Sequence, residues 1–215
     1  MEKEIDNSES IDSVNDSLKH SIREIVFSFK PEDYKPVELE VPEHYTVIQF
    51  LPEDLRIKVA TIADQLKQVD GSLLLNPKDI YHTTLFSCSV KTDKEKIKRE
   101  FQAALAEGPV DFALDNLLIA PIGVSVAAYA KTERFINLRK KMCSITGQEF
   151  FNDFRGLMSW VTLARFSEAP SEELIKFIQE NFEQNLGTMG LEEIKIFQNS
   201  SKTLAGAVEI DTIKK

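Results

Sequence analysis

Two segments of this chain set an aromatic ring and a hydroxyl at alternate positions: Tyr81-His82-Thr83-Thr84-Leu85-Phe86 and Ser159-Trp160-Val161-Thr162-Leu163-Ala164-Arg165-Phe166. Both are rich in β-branched and aromatic residues and read as strands. Successive side chains of a strand alternate between faces, so His82 and Thr84 point one way together, as do Trp160 and Thr162. An imidazole moves a proton near neutral pH, and a threonine hydroxyl donates to a phosphate oxygen, so a His-x-Thr pair suits phosphate chemistry. Two such pairs facing one another supply both an acid and a base. The second copy, however, carries Trp160 where a histidine is needed.

The quoted residues resemble the 2H phosphoesterase superfamily, which includes the 2′-5′ RNA ligase-like proteins and the cyclic phosphodiesterases. That family places a His-x-Thr or His-x-Ser motif on a central strand of each of two β-α-β lobes, often with Leu next and Ala-Arg after the second copy. His82-Thr83-Thr84-Leu85 fits in full, and Trp160-Val161-Thr162-Leu163-Ala164-Arg165 fits everywhere except at the histidine. The resemblance runs from about Tyr45 to Lys214. It implies a bilobal, LigT-like α+β fold, a duplicated β-α-β arrangement with mixed or antiparallel sheets around a central cleft. It also implies a chemistry that needs no metal or organic cofactor. One histidine takes the proton of a water attacking a 2′,3′-cyclic phosphate, the other protonates the departing ribose oxygen, and the threonines steady the phosphate. His82, Thr84 and Thr162 are then the catalytic candidates and Trp160 the substrate-binding one.

Each residue also has a plainer reading. A lone histidine on a half-buried strand is more often structural, and it is the second motif copy that reverses those odds for His82. Threonine is favoured on pleated surfaces without any function. Trp160 is a core aromatic if the cleft is closed and a platform for a nucleobase if it is open; an indole only donates a hydrogen bond and cannot exchange a proton at neutral pH. By strict alternation Arg165 falls on the face opposite Thr162 and reads as an ion-pair partner or surface charge. His20 and His44 match no part of the motif and read as solvated.

Three functions follow. The first is a degenerate 2H protein that binds a nucleotide or RNA terminus with little turnover, because losing one positioned proton-transfer group costs about 10² to 10⁴ in rate. The second is an active phosphodiesterase relying on His82. The third is an interaction protein that uses an N-terminal helix.

The positioning elements can be read from the pattern. Ile11, Val14, Leu18, Ile22, Ile25 and Phe29 form one helical stripe with Ser10 as N-cap, and residues 10–29 are the segment through which a protein partner would be recruited. Pro31, Pro36 and Pro42 punctuate an extended connector, so residues 1–42 read as an acidic extension ahead of a domain spanning 43–215, its lobes meeting near residue 120. Strands are expected over 45–51, around His82, over 110–119 and 124–130, around Thr162, and over 191–199 and 204–213. Helices are expected over about 52–68, 93–106, 133–145 and 171–185.

The composition bounds partners. With 215 residues, 42% hydrophobic, there is enough chain for a substantial core. Residues 1–40 hold eleven acidic and five basic side chains, so most of the net charge of −9 lies there, and the rest lacks the dense Lys/Arg stripe that a DNA duplex demands. No apolar run is long enough to span a membrane, the N-terminus lacks the pattern of a signal peptide, and Cys88 and Cys143 form no disulfide or metal framework. A cytoplasmic protein is expected.

Overall fold

The computed structural model describes residues 10–36, 40–201, 203–204 and 206–215. The chain runs α1 (Ile11–Ser28), β1 (Glu40–Phe50), α2 (Glu53–Val69), β2 (Leu74–Leu75), β3 (His82–Ser89), α3 (Lys94–Glu107), β4 (Asp111–Ala120) and β5 (Gly123–Ala130). It continues with α4 (Glu133–Thr146), the short α5 (Phe154–Leu157), β6 (Met158–Arg165), α6 (Glu172–Glu180), β7 (Gly187–Gly190), β8 (Glu193–Ser201) and β9 (Val208–Lys214). Every strand pair among the described residues is antiparallel. The architecture is α+β, as expected, with antiparallel rather than mixed sheets.

Two sheets form, in the orders β3-β1-β8-β9 and β2-β6-β5-β4-β7. Each draws strands from both halves of the sequence, so a boundary near residue 120 does not separate them: β4 crosses into the second sheet, and β8 and β9 return to the first. The motif strand β3 is an edge strand rather than a central one. Its side away from β1 is covered by packing against β6, where the buried Thr83 hydroxyl lies 2.5 Å from Ser159 Oγ. Ser159 gives its proton to the Thr84 carbonyl at 2.7 Å, so Thr83 is the donor to Ser159.

The N-terminal helix begins as the sequence predicts, with Ser10 Oγ accepting from the Ser13 amide. Its stripe of Val14, Leu18, Ile22 and Val26, together with Phe29, is buried against β4, β5 and α6. Burying each such side chain is worth about 1.5–3 kcal/mol. Asn15 Nδ2 bonds the Ala130 carbonyl at 2.9 Å, and Gln179 Nε2 bonds that of Val26 at 3.2 Å. The segment is peripheral in sequence but part of the core in packing. No helix among the described residues is long and apolar enough to cross a membrane.

The expectation for α6 needs correction. The helix ends at Glu180 instead of near Asn185, and Gly187 opens strand β7. The cause is Asp115, whose carboxylate accepts the Gln184 and Asn185 amides, at 3.3 and 3.0 Å, and holds that segment against β4. Burial pushes the Asp115 pKa up, but the amides of Asn185 and Asn116 and the ammonium of Lys19, 3.1 Å away, bring it below the ordinary carboxylate value.

Candidate functional site: two bulged strands around one cleft

The two motif strands share a local irregularity. On β1, Val47 pairs with Phe86 and the next residue, Ile48, pairs with Thr84, so Leu85 is an extra residue in β3. On β5, Val124 pairs with Ala164 and Ser125 with Thr162, so Leu163 is the extra residue in β6. A bulge of this kind resets the alternation of side chains. After it, Ser87 joins His82 and Thr84 on one face, and Arg165 joins Trp160 and Thr162. The burial pattern records the reset, with two consecutive buried residues, Leu85-Phe86 and Leu163-Ala164, in each strand. Arg165 therefore lines the cleft, contrary to the reading from strict alternation.

Each bulge frees carbonyls that must be satisfied. Around Leu85 the donor is the buried Arg139 of α4, which reaches Leu85 O at 2.9 Å and Thr84 O at 3.2 Å, and also Met158 O at the start of β6 at 2.6 Å. Around Leu163 the donor is Asn76, whose side chain reaches Thr162 O at 2.8 Å and whose amide reaches Leu163 O at 3.0 Å. Burial pulls the Arg139 pKa down to about 10, so the guanidinium still carries its charge at neutral pH. Gly123 allows the close approach of β5 to the second bulge, because a Cβ there would lie 2.2 Å from the Ala164 carbonyl.

His82 is half-buried, and its Nδ1 lies 2.7 Å from the Ile80 carbonyl. A carbonyl only accepts, so Nδ1 carries the proton and Nε2 keeps a lone pair. Burial moves the His82 pKa below the usual histidine value; the bond to Ile80 opposes this, and the charge of Arg165 adds to it. The ring also meets Phe50 edge to face at a centroid distance of 6.2 Å. At neutral pH this is a neutral imidazole able to take a proton.

All four residues singled out from sequence, His82, Thr84, Trp160 and Thr162, line one open cleft of about 280 Å³. Trp160 is half-buried, packed against the core and lining the cleft. The sequence reading missed Arg165 and His44. His44 lines the same cleft because β1 begins at Glu40, earlier than expected, and pairing with Ser89 and Asn199 carries His44 onto the site face. Its pairing was invisible without the partner strands. His20 is exposed beside Glu24, as read.

No protein-family model matches this chain, and no curated protein matches it in sequence. Solved structures do match. LigT of E. coli complexed with 3′-AMP aligns at a TM-score of 0.55 and 14% identity, covering 80% of this chain and 98% of that one. The same protein complexed with ATP gives 0.53 at 16% identity over the same shares of the two chains. This chain has the LigT fold. TT0787 of Thermus thermophilus aligns comparably, at 0.52 and 16% identity over 80% of this chain and 97% of that one.

Proposed function

We propose that this chain binds a nucleotide or an RNA terminus in the cleft between its two motif strands, with little or no turnover. The observation that carries the reading is the lining of that cleft. In a protein of net charge −9, the described residues around it include the guanidinium of Arg165 and no carboxylate. An anion is the ligand that such a lining suits, and the hydroxyls of Thr84 and Thr162 are hydrogen-bond donors for phosphate oxygens. Arg165 supplies charge to the phosphate and Trp160 a face for the base. The LigT structures in complex with 3′-AMP and ATP make a nucleotide the first class of ligand to try.

Weak turnover follows from the identity of residue 160. His82 can accept a proton through Nε2, but Trp160 in the corresponding position of the second strand cannot return one. The interaction reading loses its main support because the stripe of α1 is covered by the body.

Calorimetric titration with 3′-AMP and a hydrolysis assay on a 2′,3′-cyclic nucleotide test this directly. Binding should weaken about tenfold or more in Trp160→Ala, since stacking on an aromatic is worth about 1–3 kcal/mol per base. It should also weaken in Arg165→Gln, while hydrolysis stays at the level of His82→Ala. Turnover that His82→Ala abolishes would replace this reading with an active phosphodiesterase. Absence of binding to either ligand would discard the nucleotide site.

A further inference from the structure

The two motif strands belong to different sheets, and no backbone ladder sets the distance between them. β3 pairs with β1, β6 pairs with β2 and β5, and among the described residues no backbone hydrogen bond joins β3 to β6. The gap between the His82 and Thr84 face and the Trp160 and Thr162 face is therefore fixed by side chains. Apolar contacts are non-directional and set such a gap loosely, whereas a hydrogen bond has a definite length. A ligand that touches both strands responds to the difference, because a misplacement of about 1 Å is enough to cost about a hundredfold where groups must converge.

The polar ties between the strands lie at the motif itself. Thr83 sits between His82 and Thr84, and Ser159 directly precedes Trp160; both are on the faces turned away from the cleft and are buried, at 0% and 1% exposure. Thr83 gives its proton to Ser159 Oγ at 2.5 Å, and Ser159 gives its own to the Thr84 carbonyl at 2.7 Å. The path leaves β3, crosses to β6 and returns to β3 at the residue that carries a cleft hydroxyl. Arg139 adds a second crossing, from the carbonyls of Thr84 and Leu85 to that of Met158. The neighbours on the same inner faces, Leu85, Val161 and Leu163, are buried and apolar, so this pair of hydroxyls is set in an otherwise apolar seam.

We propose that Thr83 and Ser159 are positioning residues whose hydroxyl bridge sets the width of the cleft and so holds the two motif faces at the separation the ligand requires. The consequence for binding rests on the reading of the cleft as a nucleotide site; the consequence for the width does not. The two oxygens meet at 2.5 Å, whereas a methyl carbon and an oxygen stand about 3.3 Å or more apart. Putting the equal-sized valine at Thr83 thus moves the strands apart by about 0.8 Å, or turns Ser159 off the Thr84 carbonyl. Either response displaces Thr84 relative to Trp160.

Trp160 is the single tryptophan of the chain, so its fluorescence reports on the cleft with no ligand present. The test reads acrylamide quenching of Trp160 in the free full chain and, separately, the affinity for 3′-AMP. In Thr83→Val quenching should increase and 3′-AMP should bind at least about tenfold more weakly, which is about 1.4 kcal/mol. Thr83→Ser keeps the hydroxyl and should return both readouts to the parent's values. Ser159→Ala adds no bulk, should shift both in the same direction by less, and carries the test if Thr83→Val does not fold. Ile22→Val, in the buried stripe of α1, should lower the melting temperature and leave both readouts alone, as a merely structural loss does. Quenching that stays at the parent's value in Thr83→Val and Ser159→Ala, or that Thr83→Ser fails to restore, overturns the inference; so does a change in quenching with an unchanged affinity. If the parent does not bind 3′-AMP, the nucleotide reading falls and the quenching series alone decides whether the bridge sets the width.

Discussion

Strands β3 and β6 are built alike and equipped differently. Each carries a bulge immediately after its threonine, at Leu85 and Leu163, and each presents three side chains to the cleft at matching spacing. On β3 these are His82, Thr84 and Ser87; on β6 they are Trp160, Thr162 and Arg165. The freed carbonyls are met by a buried guanidinium in one case and by an asparagine in the other. The frame is thus independent of the chemistry mounted on it. Bulge and backbone bonds hold the threonines in place whether the neighbouring ring is an imidazole, as on β3, or an indole, as on β6.

The largest effect should come from restoring the chemical symmetry. Trp160→His puts an imidazole on the same face as Thr162, and hydrolysis of a 2′,3′-cyclic nucleotide should rise by about 10² to 10⁴ over the parent, a gain that His82→Ala should erase. The exchange removes a large half-buried ring, so the variant's melting curve must be compared with the parent's before rates are read. A folded variant without added activity would show that the strands differ by more than one residue.

The frame itself should break unequally. Arg139→Ala strips donors from the carbonyls of Leu85 and Met158 at once, and leaves that of Thr84 with Ser159 Oγ alone. Each buried acceptor left unsatisfied costs about 1–3 kcal/mol, so a loss of about 3 kcal/mol or more is expected by chemical denaturation. Asn76→Ala removes one side-chain bond while its amide still reaches Leu163 O, and should cost about 1 kcal/mol. Equal losses would mean that the two bulges are not held as described. Between these lies Gly123→Ala, whose new methyl meets the Ala164 carbonyl and forces β5 and β6 apart, at about 1–3 kcal/mol.

The smallest effect is electrostatic and crosses from one strand to the other. Burial and the Arg165 charge lower the His82 pKa, so the unfolded chain holds a proton that folded His82 has released. Stability from this group rises with pH between that lowered pKa and the ordinary value of about 6.5, and is lost as pH falls through the window. Arg165→Gln should raise the His82 titration midpoint in an NMR titration and reduce the acid loss seen in melting curves. A midpoint that stays put would place Arg165 too far away to act on His82.

Much of this was legible in the residues themselves. The stripe of α1 with its Ser10 cap, the strands around His82 and Thr162, and the helical end at Gly147, where φ is +70° and a left-handed residue is needed, all follow from periodicity and local backbone preference. Those signals lie within a few residues of one another, and the side chains responsible act on their own stretch of chain. The face of Arg165, the membership of His44 in the cleft, the edge position of β3, the strand at Gly187–Gly190 and the exchange of strands between the two halves were decided only in three dimensions. A bulge is a relation between two strands, set here by β1 against Leu85 and β5 against Leu163, and one extra residue reverses every side chain that follows it. Likewise, Asp115 ends α6 by capturing amides about seventy residues away. Sequence determined which polar and aromatic groups were available; tertiary pairing determined which of them line the same cleft.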